Sequence, residues 1–229
     1  MKKIILSGLA LCFAALLIYS GRQAWRAYGD YRAEAELHGA VMEYKPAGEE
    51  AVDQGVAGLR AEYPDAVGWL TVPGTRIDYP FVQARDNDYY LRRDLDGNDA
   101  MAGTLFLDCR CDISASPNLI IYGHNMKNGS MFGTLKSFAD KAFFEANTYG
   151  TIYLPEGTLR LEFFAYLVVQ ATDEAVYGVE RGEGYLDYVR GSARQYRDIG
   201  LAGGDRVVTL STCSYEFNNA RMVLLAKAA

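Results

Sequence analysis

Arg206-Val-Val-Thr-Leu-Ser-Thr-Cys213, the polar run Ser-Tyr-Glu-Phe-Asn-Asn-Ala over 214–220, and Arg221-Met-Val-Leu-Leu-Ala-Lys227 read together as one β-hairpin. Two β-branched and apolar runs flank a loop too polar to continue either of them. Neighbouring strands lie about 4.8 Å apart, so a thiol closing one strand and a guanidinium opening the next meet at the hairpin mouth. A cysteine is more often an inert buried group, and an arginine more often a surface cation. Their joint placement at two strand ends is what argues for chemistry.

Working outward, further short apolar runs occupy 69–72, 77–82, 103–107, 118–122, 150–154 and 159–170. Turn chemistry such as Tyr63-Pro64-Asp65 and Val72-Pro73-Gly74-Thr75 separates the first of them. Many short strands divided by turns predict a mainly β body, either a closed barrel or a sandwich. The 17 Tyr and 10 Phe suit the same half-buried pleated surfaces. Two stretches break the pattern. Residues 132–144 read as a short helical region, and 184–199 carry Tyr185, Val189, Ser192, Tyr196 and Ile199 along one helical stripe. The second reads as a crossover helix packed on the barrel, inserted before the cysteine strand.

The amino end differs in character. Lys2 and Lys3 precede an apolar run over 4–19, which spans roughly 24 Å as a helix, and flanking lysines can snorkel across the remaining difference. A cleaved signal peptide shares this charged start and apolar stretch, but the small-residue cleavage pattern is missing. An uncleaved anchor over 1–21 is the reading adopted. Residues 22–44 hold helix formers and no proline, 45–58 read as a linker, and together 22–58 make a stalk and linker before a folded domain at 59–229. Basic residues flank the anchor on both sides, so charge alone does not orient it. With 29 acidic residues against 23 basic ones, and no basic stretch interleaved with aromatics, nucleic acid is not an expected partner.

Histidine is scarce: His38 falls in the stalk, so histidine chemistry in the folded domain must use His124. His124 follows the strand Asn118-Leu-Ile-Ile-Tyr122 in Gly123-His124-Asn125, where a rigid element gives way to an accessible loop. Of the four cysteines, Cys12 lies in the anchor, and Cys109 and Cys111 are too close for an unstrained mutual disulfide. Those two are open between free thiols, a redox pair and half of a metal site; too few further ligands remain for the metal alternative. Cys213, His124 and Arg221 fit acyl transfer: a thiolate attacks a carbonyl, an imidazolium protonates the departing amine, and a fixed cation stabilises the oxyanion. Arg221 also favours the thiolate. Asn125 and Glu216 are the candidates for orienting His124.

Thr209-Leu-Ser-Thr-Cys213, followed by Arg221, together with Tyr122-Gly-His124-Asn125, resembles the catalytic signature of the sortases. Gly123-His-Asn-Met-Lys-Asn-Gly-Ser-Met-Phe-Gly-Thr-Leu135 and Asp88-Tyr-Tyr-Leu91 are similar to class B members in particular. The resemblance implies a closed eight-stranded β-barrel with N-terminal helices, anchored by one transmembrane helix in the membrane of a Gram-positive cell, the catalytic domain outside. It implies a cysteine transpeptidase that cuts a carboxy-terminal sorting signal after its Thr. The protein is held as a thioester and passed to an amine of a peptidoglycan precursor, with no cofactor or metal. It carries Cys213, His124 and Arg221 over as catalytic residues, and Ser211, Asn125, Thr212 and Tyr196 as substrate-binding or supporting ones. Two rivals stand beside this reading: a membrane-anchored cysteine endopeptidase using water as acceptor, and a non-catalytic membrane-tethered β-module.

Overall fold

The computed structural model describes residues 2–46 and 52–229, the side chains of 2–5 and 52–54 excepted. The chain divides into two compact units, Met1–Ala40 and Val41–Ala229. The first unit is helical: α1 (Lys2–Val41) runs without a break through the stretches expected as anchor and stalk. Leu9, Phe13, Leu16 and Ile18 on it are exposed, and by length and composition alone it is apolar enough to cross a membrane.

In the second unit, α2 (Val52–Glu62) occupies much of the stretch expected as a linker; residues 47–51 lie outside the described part. The stretch reads as a linker because Gly55 and Gly58 weaken its helical signal. Burial overrides propensity there: Val56 and Leu59 are both 0% exposed. Lys45, just before α2, donates to Asp78 (2.6 Å), whose other oxygen accepts from Trp69 Nε1 and Thr71 Oγ1.

The strands are β1 (Ala66–Thr71), β2 (Asp78–Val82), β3 (Leu105–Leu107), β4 (Asn118–Tyr122), β5 (Tyr149–Leu154), β6 (Gly157–Gln170), β7 (Gln195–Tyr196), β8 (Arg206–Cys213) and β9 (Ala220–Ala228). They pair in the order β5-β1-β2-β3-β4-β8-β9-β6, and β6 returns to β5, closing an eight-stranded barrel; β7 is an extra strand on β6. The pairs β2–β3 and β4–β8 are parallel and the rest antiparallel. Trp69, Phe81, Phe163, Phe164 and Leu167 are fully buried, and closure by β5 covers β6 only as far as Glu162, leaving the edge of its second half to β7.

The region 132–144 is helical in two pieces, a 3-10 turn over Leu135–Ala139 and α3 (Lys141–Ala146). Asp140 divides them by capping α3 through Phe143 N. After β6 come a one-turn helix, α4 (Glu174–Tyr177), and then α5 (Tyr185–Ser192). The helix expected over 184–199 therefore stops at Ser192, and Tyr196 lies on β7 instead. Two competing forces end it. Gly191 and Ser192 are weak helix formers, and Arg194 N and Arg197 N bond to the carbonyls of Tyr166 (2.8 Å) and Phe164 (2.7 Å) on β6. An open stretch of strand edge captures the backbone that periodicity alone would coil.

Candidate active site

The hairpin of β8 and β9 pairs residue for residue from Arg206↔Ala228 to Cys213↔Arg221. Asn219, with φ of 57°, supplies the left-handed turn that Asn tolerates, and Ser214 N closes the loop on Ala220 O (2.9 Å). Directly opposed residues of an antiparallel pair share a face, so Cys213 and Arg221 emerge on the same side. Both are half-buried. The Arg221 guanidinium also donates through Nη1 to the carbonyl of Ala220 (3.0 Å).

On the other flank of β8, Tyr122 of β4 is level with Ser211 in a parallel register, and Gly123 N continues the ladder to Ser211 O (3.2 Å). His124 lies two residues past Tyr122 and Cys213 two past Ser211, so both leave the same end of adjacent strands. Asn125 fixes the relation: its Nδ2 donates to the carbonyl of Cys213 (2.9 Å). Gly123 has to be glycine for this approach, because a Cβ there would fall 2.3 Å from Leu105 Cδ2 and 2.9 Å from the Phe132 ring.

His124 is oriented by Leu91, whose carbonyl oxygen accepts from Nε2 (2.6 Å). A carbonyl only accepts, so Nε2 carries its proton, and Nδ1 is the nitrogen left to exchange one. Neither candidate named from the sequence does this work. Asn125 serves Cys213, and Glu216 forms a two-pronged ion pair with Arg194. A backbone carbonyl has no side-chain signature, although Leu91 ends the Asp88-Tyr-Tyr-Leu91 stretch.

Ser211 lies on the Cys213 face of β8, and its Oγ is 2.8 Å from the hydroxyl of Tyr177. Tyr177 stacks on Tyr122 with ring centroids 6.2 Å apart. Burial, with nearby charges from Asp173 and Cys213, raises the Tyr177 hydroxyl to about 12 against the lowering pull of Ser211 and Arg221, so it is a neutral donor and acceptor at working pH. Tyr177 was invisible in the sequence; the only local signal is the capping Asp173 ahead of α4.

The strand register sets the positions of the other two expected supporting residues, Thr212 and Tyr196. Thr212 points to the opposite face of β8 from Cys213, buried with its Oγ1 unpartnered. Tyr196 pairs level with Ala165 of β6, itself level with Leu225. That is four residues along β9 from Arg221, about 13 Å, and Tyr196 packs there against Phe164 and Arg190.

Beneath the site, Asp108 is buried beside Tyr122. Burial would raise its carboxyl, but hydrogen bonds from the Arg110 side chain and backbone and from Tyr122 outweigh it and hold it at about 2. Cys109 and Cys111 are free thiols. Burial pushes the Cys111 thiol up to about 11, which keeps it protonated and unreactive at neutral pH. Among the described residues, no group of three His, Cys, Asp or Glu side chains is gathered to hold a metal.

A closed barrel presenting a thiol, an imidazole and a guanidinium at adjacent strand ends defines the class of cysteine acyl-transfer enzymes. The sortase domain family matches residues 70–229. The chain is 38% identical over 173 residues to sortase B of Listeria monocytogenes, covering 71% of this chain and 69% of that one. It superposes on a mutant form of Clostridium perfringens sortase B with a TM-score of 0.79 at 32% identity, covering 85% of this chain and 98% of the other. A Staphylococcus aureus sortase B–substrate complex aligns with a TM-score of 0.76 at 25% identity, covering 87% and 96%. The chain belongs to the sortase family, within class B, and is a cysteine transpeptidase.

Proposed function

We propose that the chain is a membrane-tethered sortase that cuts the carboxy-terminal sorting signal of secreted proteins after a Thr and hands them to an amine of a peptidoglycan precursor. In this reading Cys213 is the nucleophile, His124 the acid and base, and Arg221 the oxyanion cation. The observation that carries it is the arrival of these residues at the same ends of β4, β8 and β9, tied by the bond from Asn125 to the Cys213 carbonyl.

The Cys213 thiolate adds to the scissile carbonyl, and the charge that develops on oxygen is met by the guanidinium of Arg221. Because Nε2–H is engaged by Leu91, the imidazolium delivers its proton to the departing amine from Nδ1, leaving a thioester on Cys213. The incoming amine then attacks that thioester and returns its proton to Nδ1. Ser211 and Tyr177 support the Cys213 face of β8 through the bond between their hydroxyls. The bond between Arg194 and Glu216 ties the loop after Cys213 to the segment between α5 and β7. The exposed apolar surface of α1 supports a single-pass anchor, with the barrel on the outer face of a Gram-positive membrane.

The test is incubation with peptides bearing Asn-Pro-x-Thr-Asn or related Pro-x-Thr cores plus an amine nucleophile, read by mass spectrometry. Ligated product and a trapped Cys213 thioester are expected, with no turnover by Cys213→Ala. Hydrolysed peptide alone would favour the water-using endopeptidase, and cleavage by Cys213→Ala would remove the site.

A further inference from the structure

Tyr177 reaches Ser211 from a segment with little structure of its own: α4 is a single turn between the long strand β6 and α5. The carbonyls of Val176, Tyr177 and Gly178 follow one another along this segment, and each accepts from a side chain of β4 or of the loop between β3 and β4. Asn118 Nδ2 donates to Val176 O (3.1 Å) and Gly178 O (2.9 Å), and Arg110 Nη2 donates to Tyr177 O (3.1 Å).

Both donors are themselves fixed. Asn118 is fully buried in β4, and its Oδ1 accepts from Thr209 Oγ1 of β8 (2.7 Å). Arg110 grips Asp108 through Nε and Nη2 at 2.8 and 2.7 Å, while Asp108 also accepts from Tyr122 (2.9 Å), the ring on which Tyr177 stacks. Buried carbonyls can be satisfied by water or by backbone. Three in succession taken by two rigidly held side chains fix the Tyr177 backbone, and with it the place where the phenol ends.

We propose that Asn118 and Arg110, the latter steadied by Asp108, are positioning residues for the transpeptidase reaction, holding the Tyr177 hydroxyl on Ser211 beside Cys213. The proposal rests on the site reading given above. Neither residue touches substrate; each acts through Tyr177. Displacement of a group in an active site by about 1 Å can cost on the order of 100-fold in rate, so the ties matter for turnover well beyond their contribution to folding.

The experiment is a set of coupling cycles in the full-length chain in detergent micelles, with the Asn-Pro-x-Thr-Asn peptide cleaved fastest by the wild type. Arg110→Met, Asn118→Leu and Tyr177→Phe are made singly, and the first two again in the Tyr177→Phe background. Each single change is expected to lower kcat about tenfold with KM little altered. In the Tyr177→Phe background, Arg110→Met and Asn118→Leu are expected to lower kcat no further, because the hydroxyl they position is gone. Arg110 is half-exposed on its side chain, so Arg110→Met decides the matter should Asn118→Leu not fold. Losses that multiply in the double variants, single variants with wild-type kcat, or Tyr177→Phe with wild-type kcat would each overturn the proposal. Cleavage surviving in Cys213→Ala would instead overturn the site reading beneath it.

Discussion

At the residue scale, the chemistry depends on groups whose geometry is not interchangeable. Arg221 is held by its strand pairing with Cys213 and by a bond to Ala220 O. A lysine there keeps the charge but loses the planar fork of donors. Arg221→Lys is expected to lose most of its turnover, about 100-fold in kcat/KM for a sorting peptide, with unchanged circular dichroism; a rate near wild type would take Arg221 out of the mechanism. Asp108 gives a prediction on pH. Its folded value, about 2, lies below the ordinary aspartate value of about 3.9. Its ionised form therefore stabilises the fold fully above about pH 4, and that stabilisation is lost as pH falls towards 2. The amount is about 2 kcal/mol. Urea unfolding at pH 5 and pH 2.5 should show the loss in the wild type and a flatter acid limb in Asp108→Asn; parallel acid limbs would contradict the assignment. The residues of the candidate site were legible to unequal degrees. His124 stood out by scarcity, and Cys213 and Arg221 by their joint places at strand ends, whereas Leu91 acts through a carbonyl that every residue has. Tyr177 comes to Ser211 from 34 positions away in the chain, and no local pattern announces such a contact.

At the element scale, the strands were legible because alternation and turn residues are local signals, and the hairpin of β8 and β9 needs nothing more. The helices were less so. The stripe over 184–199 is genuine up to Ser192, but periodicity cannot see that β6 offers a free edge to the chain beyond it. The part of 45–58 that lies in α2 reads as a linker because Gly55 and Gly58 weaken a helix that its packing sustains. That packing can be measured. Leu59 on α2 is 0% exposed, so Leu59→Ala is expected to cost about 2–5 kcal/mol in denaturant unfolding. Kinetic constants should be preserved wherever the protein remains folded, since α2 supplies none of the site's groups. A cost under about 0.5 kcal/mol, the range of ordinary surface substitutions, would mean that α2 is dispensable after all.

At the scale of the whole molecule, the two compact units divide at Ala40 and Val41, and every group of the candidate site belongs to the second. The apolar side chains of the first, from Leu6 to Tyr19 and on to Trp25 and Tyr28, are exposed, a state that water disfavours by about 25 cal/mol per Å² of apolar surface and that a bilayer relieves. Localisation and chemistry should therefore separate under truncation. Removing about the first 25 residues is expected to give a protein that stays in the aqueous phase on detergent partitioning, while the full chain moves to the detergent phase. Its kcat/KM for a soluble sorting peptide should lie within about twofold of the full chain's, because no interaction made in the transition state has been removed. Removal through Glu62 should behave differently, since it also deletes Val56 and Leu59, both fully buried, worth about 3–6 kcal/mol together. That shorter fragment is expected to lose cooperative unfolding at room temperature. An inactive or insoluble product from the shorter deletion, or a stable and active one from the longer, would place the boundary of the catalytic unit somewhere other than between α1 and α2.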